Sequence, residues 1–173
     1  MRPLRFGTLL VGCLTACGGG AHKAPAHVPA ALQVPAAPSA PRLHALGRGV
    51  QIYVCTAKAD GSYAWVFTAP EATLFDDKRA SIGRHFAGPS WQLDDGSKIV
   101  ARVAQKVAAP QPAHDIPWLR LQVTAQTGAG GLGGVRWVQR LDTAGGNAPD
   151  NGCDAGFVGQ QARVAYSADY YFW

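Results

Sequence analysis

From Gly49 to Thr56 the chain alternates with a period of two, placing Val50, Ile52 and Val54 on one side and Gln51, Tyr53 and Cys55 on the other. Successive side chains of an extended chain point to opposite faces, so this pattern predicts a half-buried strand. Asp60-Gly61 turns the chain back into a second strand, Ser62 to Thr68, which carries Tyr63, Trp65 and Phe67 and which Pro70 is expected to end. Ala72 to Phe75 and Ser90 to Leu93 read as short strands around an irregular stretch from Gly83 to Pro89. Asp95-Gly96 then introduces Lys98 to Val107, with Ile99, Ala101 and Val103 sharing a face. Ile116 to Gln126 sets Leu119, Leu121, Val123 and Ala125 against Trp118, Arg120, Gln122 and Thr124. Val135 to Leu141 and Ala162 to Phe172 complete the series, the last with Val164, Tyr166, Ala168, Tyr170 and Phe172 on one side. The expected fold is all-β, an antiparallel sandwich or a small closed barrel of about eight strands.

Composition agrees with that pattern. The chain of 173 residues has 21 glycines and 12 prolines but a single glutamate, Glu71, so it is rich in turn formers and poor in helix formers. With 47% hydrophobic and 16% charged residues it can pack a core, which excludes global disorder.

The pattern changes before residue 44. Arg2 and Arg5 precede the apolar run Phe6 to Leu14, which leads into Leu14-Thr15-Ala16-Cys17 and three glycines. The run is far shorter than the roughly 20 residues that span a bilayer as a helix, and it reads as an export signal. The tetrapeptide resembles the lipobox of bacterial lipoproteins, which implies acylation of Cys17; an ordinary signal peptide with a chance cysteine is the alternative. Gly18, in place of an aspartate, favours the outer membrane within that resemblance. Residues 18 to 42 are rich in alanine and proline, lack aromatics, and read as a tether in which His22 and His27 are solvated. The expected organisation is a signal peptide over 1–16, a lipidated cysteine and tether over 17–43, and one β domain over 44–173. The chain would then be attached to the envelope by lipid, at its periplasmic face or the cell surface.

The formal charge of +5 includes Arg2 and Arg5, and without them 14 basic residues face 11 acidic ones. The basic residues are scattered, which counts against nucleic acid as a partner. Of four cysteines, Cys13 and Cys17 belong to the amino terminus, leaving Cys55 and Cys153. In an oxidising compartment that pair is expected to form a disulfide. Two unpaired thiols or a metal pair are the alternatives, and zinc is disfavoured because neither cysteine has a second ligand at the usual spacing.

Several motifs invite a chemical reading. Gly128-Ala129-Gly130-Gly131-Leu132-Gly133 has the spacing of a dinucleotide fingerprint, but the residues after it alternate like a strand instead of opening a helix. It is read as a hairpin loop, and no cofactor or metal is expected. The aromatic end Tyr170-Tyr171-Phe172-Trp173 is similar to that of outer-membrane barrels, but most strands are too short for a lipid-facing band. A domain on a lipid tether fits better. His85, His114 and the aspartates Asp76, Asp77, Asp94, Asp95 and Asp115 are the groups available for acid–base chemistry, and no nucleophile elbow or zinc-protease motif is present. Trp91, Trp118 and Trp137 could stack on sugars if exposed, although core packing is the default for them.

The combination of Gly49-Val50-Gln51-Ile52-Tyr53-x-Cys55, Gly83-x-His85-Phe86-Ala87-Gly88-Pro89-x-Trp91, Asp95-Gly96-Ser97, Ile116-Pro117-Trp118-Leu119, Val138-Gln139-Arg140, Cys153 and Tyr166-x-Ala168-Asp169-Tyr170-Tyr171-Phe172 resembles the family catalogued as domain of unknown function 3455. The resemblance covers about residues 44 to 173 and implies an exported protein. It brings no catalytic residues.

Two functional expectations follow. The first is an envelope lipoprotein whose tethered domain binds a protein or polysaccharide, with His85, Trp91, Asp95 and Trp118 as the candidate binding loop. The second is an envelope hydrolase or metal-dependent enzyme using the His85 loop. They part on geometry: a His85 grouped with an aspartate and Ser97 or His114 favours the enzyme, and a His85 buried under Trp91 and bonded to backbone removes its basis.

Overall fold

The computed structural model describes residues 22–173, so the export segment, Cys13 and Cys17 lie outside the described residues. Eight antiparallel strands follow one another: β1 (Leu43–Ala57), β2 (Tyr63–Phe75), β3 (Ser81–Phe86), β4 (Ser90–Leu93), β5 (Lys98–Val107), β6 (Trp118–Thr127), β7 (Trp137–Gly145) and β8 (Gln161–Phe172). Each pairs with the next, and β8 returns to pair with β1, so the sheet closes into a ring with up-and-down order. Of the two expected architectures, the closed form is the one adopted. No described helix is long and apolar enough to cross a membrane.

The lumen is filled by β8 and its partners. Tyr166, Ala168, Tyr170 and Phe172 all point inward and are buried, as the alternation predicts. Opposite them β1 supplies small residues, Ala45 against Tyr170, Gly47 against Ala168 and Gly49 against Tyr166. A Cβ on Gly47 would come within 2.5 Å of the Tyr170 ring, so the missing side chain is what admits the tyrosine. Trp91, Ile99, Leu121 and Val138 close the core from the other side.

One detail was left open by the sequence reading and two depart from it. On β1 the inward residues are Gln51, Tyr53 and Cys55, while Val50, Ile52 and Val54 face out. Both sets are largely apolar, so the period specifies a strand but not its buried face, which the pairing with β8 decides. Pro70 does not end a strand, and β2 continues to Phe75. The proline is tolerated because β3 joins β2 only from Ala72 onward, leaving Pro70 with a strand neighbour on one side alone. The stretch expected to be irregular, Gly83 to Pro89, includes the second part of β3, in which His85 lies opposite Trp91 of β4.

The tether is also not free throughout its length. A 3-10 turn, Ala30–Leu32, puts Leu32 into an outer cluster with Ala109, Trp118 and Leu141, where it is fully buried. Gln139 Nε2 donates to the Leu32 carbonyl at 2.8 Å, and Arg42 Nε donates to that of Gly131 at 2.9 Å. Arg120 donates to the Gln33 carbonyl as well, so apolar contact and these hydrogen bonds hold the segment against the outside of the ring. Its first described residue makes a contact as well, since His22 Nδ1 lies 3.3 Å from Asp77, where a solvated linker histidine was expected.

Cys55 and Cys153 form a disulfide across 98 positions of sequence. It ties β1 to the loop between β7 and β8. Gly159 N–H donating to the Cys55 carbonyl and Trp65 Nε1–H donating to the Asn151 carbonyl reinforce that attachment.

Candidate functional site

The wall of the ring is low in one place. β3 and β4 have six and four residues, whereas β2 and β5 beside them have 13 and ten. β4 pairs with β5 only over Lys98–Val100, and β3 pairs with β2 only over Ala72–Phe75. The first half of β2 and the second half of β5 therefore face each other across a gap floored by the β3–β4 hairpin.

That gap opens into a cavity of about 280 Å³. Phe67 of β2 and Val103 of β5 form its lips. Their register partners, Tyr53 and Leu121, are buried inward residues, yet Phe67 and Val103 are 50% and 49% exposed. Inward-facing apolar side chains left half in water mark a mouth that the fold itself does not fill. Deeper in lie Trp91, Leu121 and Tyr170, all essentially inaccessible. The indole N–H of Trp91 is buried and has no hydrogen-bond partner among the described residues. Such an orphan donor is uncommon in native interiors.

Arg140 also lines the cavity. Its position on β7 places it opposite Tyr170 of β8 and Leu119 of β6, so it belongs to the lumen face. Nε and Nη2 donate to the Pro117 carbonyl at 3.3 and 2.7 Å. Among the described residues it has no carboxylate partner, and the one arginine salt bridge, Arg163 with Glu71, is elsewhere. Its charge is felt by Tyr53, His85, Tyr166 and Tyr170, all neutral groups.

His85 is 3% exposed and lies flat against Trp91. Its Nδ1 is 2.8 Å from the Ser90 carbonyl, which assigns the proton to that nitrogen. Burial pushes its pKa down to about 3, against a smaller upward pull from the Ser90 carbonyl, so the ring is neutral at physiological pH.

The residues grouped as a binding loop separate in space. His85 and Trp91 are strand residues that line the cavity. Trp118 sits on the outside of the ring beneath Leu32. Asp95 lies at the far end of the β4–β5 hairpin, where it accepts from Gly131 N–H at 2.6 Å and from Ser97 N–H and Oγ–H at 2.8 and 2.6 Å. Those bonds, that from Gly131 first, hold its pKa below the usual carboxylate range and clasp the glycine-rich loop to the turn. That loop is the β6–β7 connection, as expected of a hairpin. Ser97 is engaged there, and His114 is exposed in the β5–β6 loop, so neither joins His85. Among the described residues no three His, Cys, Asp or Glu side chains are grouped to hold a metal ion. Sequence reasoning passed over Phe67, Val103 and Arg140 as site residues.

The molecule is thus of the class of closed, up-and-down β domains with a side mouth into an apolar lumen. The chain belongs to the family described as a protein of unknown function, DUF3455, whose profile matches residues 35–173. No curated protein and no solved structure matches it.

Proposed function

We propose that this chain is an envelope lipoprotein, anchored through Cys17, whose β domain is a binding module that receives an apolar group of its partner at the mouth between β2 and β5. The observation that carries this reading is the pair of half-exposed lips, Phe67 and Val103, above an apolar cavity. Binding sites for small groups are concave and mostly apolar, with few polar atoms to orient the guest. A polysaccharide partner receives less support, because Trp91 and Trp118 are 1% and 8% exposed and the partly exposed Trp137 carries the Arg120 guanidinium over its ring. The hydrolase alternative loses its basis in His85, whose N–H is committed to backbone and which has no carboxylate or hydroxyl side chain as partner.

The test places a photoreactive phenylalanine analogue at position 67 in intact cells. A discrete adduct there, absent when the same analogue replaces outward-facing Thr73, is the expected result; equal labelling at both positions would overturn the mouth as the binding site. The anchor is tested separately by fatty-acid labelling. Label should reach the wild-type chain and not the Cys17→Ser variant.

A further inference from the structure

The charge inside the mouth narrows what it can bind. On the inward faces of the strands the lumen carries tyrosines, glycines, aliphatic residues, Gln51 and His85, but no carboxylate. Arg140 is the one charged side chain among the lining residues of the cavity. A cation facing a low-dielectric lumen is costly to hold without a counter-charge. One backbone carbonyl, that of Pro117, satisfies two of its N–H groups without neutralising it. The guanidinium fork matches a carboxylate, and Trp91, on another strand lining the same cavity, has a buried N–H without a partner.

Resting on the reading of the mouth as a binding site, we infer that it binds a small amphiphile with one carboxylate, its apolar body between Phe67 and Val103 and its head at Arg140. The cavity is small, about 280 Å³, and open at the lips, so a short amphiphile such as a medium-chain fatty acid or an aryl carboxylate is the class of guest that suits it.

The test uses the full chain carrying Cys17→Ser, so that no acyl group of its own competes, and three probes of equal length: octanoate, 1-octanol and octylammonium. Calorimetry should show octanoate binding at least tenfold more tightly than octanol, with octylammonium weakest. Arg140→Met should remove that preference, so that octanoate binds no more tightly than octanol, and Arg140→Lys should retain part of it. Phe67→Glu is a second variant, at the half-exposed lip and away from Arg140; its negative charge should weaken octanoate more than octanol. Octanol binding as tightly as octanoate would overturn the carboxylate while leaving the mouth as a binding site. No binding by any of the three probes would overturn both.

Discussion

The imidazole of His85 lies parallel to the indole of Trp91, ring centroids 4.4 Å apart and planes inclined by 9°, with the edge of Tyr170 against it at 5.1 Å. Two aromatic rings thus help to exclude water from a titratable group, and this makes the fold sensitive to acid. The native pKa, about 3, lies below the unfolded value of 6.5, so between these limits the unfolded chain binds a proton that the native chain does not. Stability is complete above pH 6.5 and falls as the pH drops through that window, by up to about 1.4 kcal/mol per unit. Urea unfolding at a series of pH values should show this slope reduced in His85→Asn. An unchanged slope would mean that His85 titrates normally.

A second histidine acts in the opposite sense. His44 Nε2 is 2.9 Å from Asp169 and Nδ1 is 2.6 Å from Asp77. The bond to Asp169 raises its pKa most, partial burial opposes, and Asp77 adds a further upward pull. Its contribution to stability is present in full below 6.5 and disappears as the pH rises through the raised native value. Proton NMR of the imidazole should place the midpoint above 6.5, and Asp169→Asn should lower it. A midpoint at or below 6.5 in the wild type would refute the arrangement.

The bridge between Cys55 and Cys153 closes 98 positions of chain, and in the chain-entropy account a loop of that length is worth about 4–5 kcal/mol. The oxidised protein should show no free thiol at either position when unfolded without reductant. Replacing both cysteines by alanine should lower the urea midpoint by a corresponding amount, and amide exchange should rise first in the loop from Gly146 to Gln160. Exchange rising equally in β6 and β7 would show that the bridge supports the whole ring.

How far the sequence could be read differs between elements for physical reasons. β8 was legible residue by residue, because its inward set is aromatic or small and its outward set includes Arg163, Ser167 and Asp169. β1 was legible as a strand but not in its orientation, since valines and isoleucine occupy the outer face and a glutamine the inner one. β3 was hidden because Gly83-Arg84-His85 lacks branched residues, and its extended form depends on pairing with β4 across Gly83 and Leu93. His85 and Trp91 stand in the sequence as candidates for a binding loop with core packing as the default for the tryptophan, and they line the floor of the mouth. Arg140 had one usable signal. It shares its parity with Val138, a buried position, so a charge there is anomalous, but only closure of the ring shows which parity faces in.

The docked amino-terminal segment provides the last prediction. Leu32 is completely buried between Trp118 and Leu141, yet it precedes the first strand and pairs with none. Removing its side chain should cost about 2–5 kcal/mol of the contact it makes, the usual range for a buried leucine cut to alanine. Because no ladder hydrogen bond is involved, the loss should be local. Leu32→Ala should therefore leave the thermal midpoint of the ring nearly unchanged while limited proteolysis between His22 and Arg42 accelerates at least tenfold. A drop in the midpoint with no change in cleavage would show instead that Leu32 acts as core for the outer faces of β6 and β7, and that the segment is held by its hydrogen bonds to Gln139 and Arg120.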